Sequence, residues 1–181
     1  LHSFPDDHPS LQADDRRPPS ATAHIVLYQP EIPQNTGNIG RSCVATGAKL
    51  WLVGQKGFEI TNTRLKRAGM DYWQHLQCEE VESWQRLQQQ LPTRRQWVFS
   101  RFARRAIWDA PLQTGDAFIF GCESAGLPGD ILDLDSPYTL NLPTLPEVRS
   151  LNLATTVGIV LYQLLARCPD ARPRTAKDSP Q

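Results

Sequence analysis

Three stretches of the chain carry side chains whose types and spacing suit the holding of a phosphate-bearing ligand. In QPEIPQNTGNIGR, Asn35 and Arg41 stand with Gly37 and Gly40. In FGCESAGLPGD, Glu123 lies among Gly121, Gly126 and Gly129, glycines that let backbone amides approach a ligand closely. In LPTLPEVRSLNL, Arg149, Ser150 and Asn152 form a dense donor cluster just before an apolar run. Dense polar groups beside a core mark a site more often than an accident. Structural roles compete at each position. Asn35 and Ser150 suit helix N-caps, and Glu123 suits a cap or a solvent-facing carboxylate. Arg41 is expected within the first turn or so of a helix over 37–46. A cation there opposes the helix dipole, and a bound phosphate would remove the conflict.

The chemistry these residues exclude is as informative. Gly37 and Gly40 follow an apolar run as a dinucleotide fingerprint does, yet position 35 is Asn rather than Gly, and no acid stands at the end of the second expected strand, within LWLVGQKGF, to hold a ribose. A Rossmann oxidoreductase is therefore disfavoured, and the glycines are expected to let the helix start pack closely on the sheet. Four cysteines, at 43, 78, 122 and 168, form no CxxC pair and no cluster with His. A zinc site and a disulfide framework are both disfavoured, and reduced thiols point to the cytoplasm. Lys plus Arg and Asp plus Glu each total 19, so the net charge is zero, which argues against a histone-like or strongly basic non-specific nucleic-acid binder. A local basic face is still present: Arg64, Lys66, Arg67, Arg86, Arg94, Arg95, Arg101, Arg104 and Arg105 lie within 64–105. The planar donor fork of arginine suits phosphate, so this region is expected to face RNA.

The elements that position these groups follow from periodicity. Continuous apolar runs at His24–Tyr28, Lys49–Val53, Gln96–Ser100, Ala117–Gly121 and Tyr138–Leu142 read as strands buried on both faces of a parallel sheet. Helices are expected at about 37–46, 62–69, 80–91, 128–134 and 150–167, the last with apolar residues at 3.6 spacing and too short for a membrane span. Alternating strands and helices predict an α/β fold, a mainly parallel sheet flanked by helices on both faces. With 181 residues, 40% apolar, one domain over 23–167 is expected, between flexible tails at 1–22 and 168–181. The chain opens on Leu, in keeping with a trimmed start, and its Pro- and Asp-rich first segment has no signal-peptide pattern.

HIVLYQPEIPQNTGNIGR, RLKRAGMDYW, FGCESAGLP and RSLNLATTVGIVLYQLL occur in that order over roughly residues 24–167. Together they resemble successive motifs of the SPOUT superfamily of RNA methyltransferases, and more narrowly of its TrmL group. PEIPxNTGNIGR and RSLNL at this separation are far more specific than either alone. The resemblance implies 2′-O-methylation of the wobble nucleotide 34, cytidine or a modified uridine, of tRNA. It also implies a C-terminal trefoil knot, which no periodicity reveals. S-adenosylmethionine would lie not at the first glycine pair but against three C-terminal loops, with Phe99, Ser100, Gly121, Leu142 and Ser150 lining the pocket.

By the same motif match the catalytic set is Arg41, Asn35, Glu123, Ser150 and Asn152, while Arg41, Arg149 and Tyr162 handle RNA. The methyl group of a sulfonium is already activated, so no metal is required. Arg41 is expected to hold the 2′-oxygen or adjacent phosphate rather than act as a base, because a guanidinium pKa lies above about 12. Asn35 and Ser150 would orient it, and Glu123 would fix Arg41 or a loop. The implied partners are the tRNA anticodon stem-loop and a second copy of the chain, joined through the first and last helices. The chain departs from the pattern at Thr144, Ala154 and Gln163, which bears on substrate preference. Another tRNA or rRNA site is the alternative target, and a non-catalytic RNA-binding module the alternative class.

Overall fold

Runs of apolar residues with little polar interruption become the centre of a parallel sheet. The computed structural model describes residues 21–57 and 71–173. Its strands are β1 (His24–Tyr28), β2 (Lys49–Val53), β3 (Cys78–Val81), β4 (Gln96–Phe99), β5 (Arg105–Ala106), β6 (Ala117–Phe120) and β7 (Thr139–Asn141). They lie in the order β3-β2-β1-β6-β4-β7-β5, every pairing parallel. In register, Val26 sits between Trp51 and Ile119, and Ile25 between Leu50 and Phe118.

Alternation along the strands sends these residues to opposite faces. Ile25, Leu27, Leu50 and Phe118 pack with Ile39 and Cys43 of helix α1 (Pro33–Thr46) and with Val157, Val160, Leu161 and Leu164 of helix α3 (Leu153–Arg167). Val26, Trp51 and Ile119 pack on the other face with Leu87 of helix α2 (Trp84–Gln90). Helices therefore cover both faces, as the alternating pattern predicts. No helix of the described residues is long and apolar enough to cross a membrane.

Two polar anchors lie inside this core. The Trp51 indole donates to His24 Nδ1 at 3.1 Å, and burial, then the charge of Lys49, lower the His24 pKa to about 4. Asp116 is fully buried and accepts from Arg95 Nε at 2.6 Å, Trp97 Nε1 at 2.7 Å and the Gln113 amide at 2.8 Å. Arg95 is thus committed to the core edge rather than free for RNA, a correction to its place in the basic face. Arg105 donates to the carbonyls of Pro137 and Asp109 and is likewise engaged. Arg64, Lys66, Arg67 and the helix expected over 62–69 lie outside the described residues.

Several boundaries differ for identifiable reasons. α1 begins four residues earlier than expected because Pro33 occupies its first turn, where a missing N–H costs nothing. It ends at Gly47, whose φ of 74° is the left-handed conformation that closes helices. The expected helix over 80–91 is split: Cys78–Val81 is an edge strand, and Ser83 then caps α2 by accepting from the Arg86 amide. Glu79 and Glu80 of that strand pair with Lys49 and Lys56. The two-residue strand β5 is too short to leave a periodic trace. Over 128–134 there is one turn, in which the Ile131 and Leu132 amides both donate to the Pro128 carbonyl, rather than a helix. The last helix starts at Leu153, not 150. Contacts with the body continue past it, where Arg172 donates to the carbonyls of Leu165 and Ala166.

β7 lies between β4 and β5, so the β4–β5 connection, residues 100–104, crosses the end of β7. There the Ser100 amide donates to the Leu140 carbonyl at 3.0 Å, and Asn141 Nδ2 donates to the Ala103 carbonyl at 2.7 Å. Because the sheet is parallel, the loops that follow β1, β4, β6 and β7 all emerge at one edge, where open α/β sheets bind ligands.

Candidate active site

Those four loops enclose a cleft of about 870 Å³. Phe99, Ser100, Gly121, Leu142 and Ser150 all line it, as do Asn35, Glu123, Arg149 and Asn152. Arg41 and Tyr162 are not among the lining residues. Nine of the eleven residues singled out from the sequence thus meet at one edge of the sheet.

A hydrogen-bonded chain of three side chains crosses the mouth of the cleft. Asn35 Nδ2 donates to Glu123 Oε1 at 2.9 Å, and Asn152 Nδ2 donates to Asn35 Oδ1 at 2.9 Å. The other oxygen of Glu123 accepts the Glu31 amide at 2.9 Å. Asn152 Oδ1 meanwhile accepts the Ala154 and Thr155 amides, at 2.8 and 3.3 Å, and so caps α3. One residue therefore ends the last loop, starts the last helix and ties both to the first helix.

These contacts decide three expectations. Asn152, not Ser150, is the cap of the last helix. Asn35 is the third residue of α1 and does not cap it; the residue before the helix is Ile32, which has no side-chain cap. Of the two partners expected for Glu123, Arg41 or a loop, the structure has the loop: Glu123 grips the backbone at Glu31, and Asn35 with it. Arg41 is the ninth residue of α1, so the dipole conflict expected for a first-turn cation does not arise. Six residues past Asn35, it lies about 9 Å further along the helix axis and about 240° round it. Its guanidinium sits over the Tyr72 ring, 4.8 Å from the centroid, while the Tyr72 hydroxyl donates to the Gly37 carbonyl at 2.9 Å. A Cβ on Gly40 would come within 2.8 Å of the Trp73 ring. Gly40 thus admits the 71–76 segment, through Trp73 and Leu76, rather than the sheet.

The floor depends on another close approach. A Cβ on Gly121 would lie 2.1 Å from the Gly126 carbonyl carbon, because Cys122 and Gly126 pair as an antiparallel bridge that folds the loop back on itself. Gly126 completes that turn with a φ of 73°. The loop is also clasped from outside: the Ser124 amide and hydroxyl donate to Glu31 at 2.9 and 2.6 Å, which hold its carboxyl below the usual range. Glu31 and Ser124 were not singled out from the sequence. Glu31 lies between two prolines in the first motif, a signal that its backbone is constrained, but its partner 93 residues away is invisible there.

At the rim, Arg149 and Ser150 are exposed and their side chains make no hydrogen bond among the described residues. Two unspent donor groups thus face a cleft whose inner wall includes Phe99, Phe120, Leu127, Leu142 and Leu153. This arrangement can hold a ligand with an apolar or aromatic body and leave donors for a second, anionic one. Among the described residues no three His, Cys, Asp or Glu side chains are grouped to hold a metal ion.

The sequence as a whole decides the lineage: the SpoU rRNA methylase family pattern matches residues 22–162. The chain belongs to the SpoU rRNA methylase family. It is 41% identical over 140 residues to the tRNA (cytidine(34)-2′-O)-methyltransferase of Methylovorus glucosotrophus, covering 77% of this chain and 91% of that one. The Aeromonas hydrophila enzyme of the same name is 40% identical over 140 residues, covering 77% and 90%. A solved structure, described as giving structural insights into 2-OH methylation of C/U34 on tRNA, superposes with a TM-score of 0.72 at 41% identity. It covers 80% of this chain and 95% of that one. The similarity thus covers nearly all of these relatives' length.

Proposed function

We propose that the protein is a tRNA (cytidine(34)/uridine(34)-2′-O)-methyltransferase that uses S-adenosylmethionine. The observation that carries this reading is the 41% identity extending over 91% of the Methylovorus enzyme. The residues at the cleft fit the cofactor: an apolar wall, a tight glycine floor at Gly121, and Asn141 Oδ1, a buried acceptor on a lining residue with no partner among the described residues. The adenosine would rest between the loops carrying Phe99, Gly121 and Leu142. A tRNA substrate would place the enzyme in the cytoplasm.

S-adenosylmethionine, when bound, supplies a methyl group already activated on a sulfonium, and its transfer to the ribose oxygen leaves a neutral thioether. The protein must align the 2′-oxygen with that methyl group and let its proton go. Ser150 and Arg149, unspent at the rim, would take the ribose and its phosphate. The Glu123–Asn35–Asn152 chain fixes the loops on which those donors stand. Arg41 would stabilise charge developing on the 2′-oxygen, the proton leaving to phosphate or water.

That role for Arg41 fits a homodimer best. Within one chain Arg41 is turned away from the cleft, whereas Ile159 and Tyr162 on α3 are 37% and 60% exposed. A two-fold pairing of the α1 and α3 faces would cover this apolar stripe and let Arg41 of each subunit serve the other's cleft. The position of β7 between β4 and β5 supports the trefoil knot, since the crossing connection is what a threaded chain requires. The test is to incubate purified protein with labelled S-adenosylmethionine and tRNA, digest, and map the label by mass. Label on the ribose of nucleotide 34 is expected; label on a base, or at another site, overturns the assignment.

A further inference from the structure

The loop after β4 bears a feature that the methyl-transfer reading leaves unused. Phe102 lines the rim of the cleft and is 61% exposed. Such exposure of a large ring costs apolar hydration unless a partner covers it. The turn that carries the ring is held rather than loose. Ser100 Oγ accepts the Phe102 amide at 3.3 Å, the Ala103 amide closes the turn on the Ser100 carbonyl at 3.2 Å, and Asn141 holds the Ala103 carbonyl from β7. The Arg101 guanidinium lies over the Phe102 ring, 4.2 Å from the centroid, and no carboxylate pairs with it among the described residues.

The surroundings choose the occupant. Residues 92–108 hold five arginines and no acid. Arg95 and Arg105 are engaged internally, but Arg94, Arg101 and Arg104 are exposed, the last facing Asp135 only at 3.9 Å. An aromatic ring and unpaired guanidinium on a basic rim match a polyanion with flat apolar faces. That is the chemistry of an unpaired nucleotide: stacking for the base, cation for the phosphate. An apolar protein partner would leave Arg101 desolvated without a counter-charge.

We propose that Phe102, backed by Arg101, is a stacking platform for an unpaired nucleobase of the substrate RNA at the mouth of the cleft. It rests on the proposed RNA substrate and adds the surface that grips a loop base beside the reacting sugar. Preorganisation of the turn lowers the ordering cost of binding there. Phe102 acts on the RNA and not on the methyl group, so it governs RNA affinity and KM rather than cofactor affinity.

The test compares wild-type protein, F102A and F102W. An anticodon stem-loop RNA with cytidine at its wobble position is the binding probe, S-adenosylmethionine affinity is measured by calorimetry, and turnover is measured on tRNA. F102A should weaken RNA binding roughly 5- to 150-fold, the usual range for losing one base–aromatic stack. Cofactor affinity and the thermal midpoint should be unchanged, and F102W should restore RNA binding. Unchanged RNA affinity in F102A overturns the platform. So does a parallel loss of cofactor affinity, which would make Phe102 a cofactor wall. Weakened dimerisation with unaltered RNA affinity per dimer overturns it too, by making the ring a subunit contact. If F102A loosens RNA while even the wild-type protein methylates no tRNA, the platform stands and the proposed reaction falls.

Discussion

Asn152 Nδ2 donates to Asn35 Oδ1 at 2.9 Å, joining the cap of the last helix to the first turn of the first helix across 117 residues of chain. The same asparagine uses its Oδ1 on the α3 amides. Its two ends therefore do separable work, one for the stability of α3 and one for the geometry of the cleft.

Substitution can split the two. N152D keeps an oxygen for the cap and loses the donor to Asn35, so denaturant stability should stay within a few tenths of a kcal/mol while turnover falls roughly tenfold or more. N152A should lose both, with stability dropping by about 1 kcal/mol. Urea unfolding and single-turnover methylation measure the two effects. Equal turnover in N152D and wild type would show that the Asn35 contact is dispensable.

The loop floor makes a second prediction from space alone. G121A forces a methyl group into the Gly126 carbonyl carbon, so backbone must shift, and cofactor affinity should fall at least tenfold with stability down by about 2 kcal/mol or more. G129A, in the same loop but with nothing within 4 Å of the added atom, should leave both measurements unchanged. Calorimetry with S-adenosylmethionine and urea titration decide it.

Buried His24 makes the fold sensitive to mild acid. Its pKa is lowered in the folded state to about 4 from 6.5, so between those values the unfolded chain binds the extra proton. Stability from this group is complete above pH 6.5 and declines as pH falls towards 4, by roughly 3 kcal/mol in all. Urea unfolding at pH 7.5 and pH 5 should show the loss in wild type, and H24L should flatten that part of the profile. H24L also strips the Trp51 indole of its acceptor, so it should be less stable at pH 7.5. An equal slope in both proteins would assign the acid sensitivity elsewhere.

The placement of Arg41 predicts complementation. R41A and N35D should each be inactive alone. Co-expressed in equal amounts they should regain about one quarter of wild-type activity, because half the dimers would be mixed and each mixed dimer would hold one complete composite site. A guanidinium serving its own chain's cleft leaves every mixed dimer dead, so zero activity would remove the shared-site arrangement.

The central strands and the type of the first and last helices were legible in the chain because each is long or strongly apolar and its periodicity is local. Edge strands were not. Cys78–Val81 carries two glutamates that an exposed edge tolerates, and β5 is two residues long, so neither has a pattern to read. The site residues were legible as motifs but not as partners. Glu123 was expected to hold Arg41 or a loop and holds Asn35 and the loop backbone at Glu31, since which carboxylate oxygen meets which donor depends on how the loops after β1 and β6 meet.

Amino-acid order alone determined the α/β class, the parallel core and the chemistry concentrated at Asn35, Glu123 and Arg149–Asn152, because apolar periodicity and donor type are properties of short segments. Tertiary structure alone decided that Asn152 rather than Ser150 starts the last helix, that Arg41 faces away from its own cleft, and that Phe102 stands uncovered beside it. Each of those depends on the meeting of segments far apart in the chain, and only packing of the sheet brings their atoms within reach.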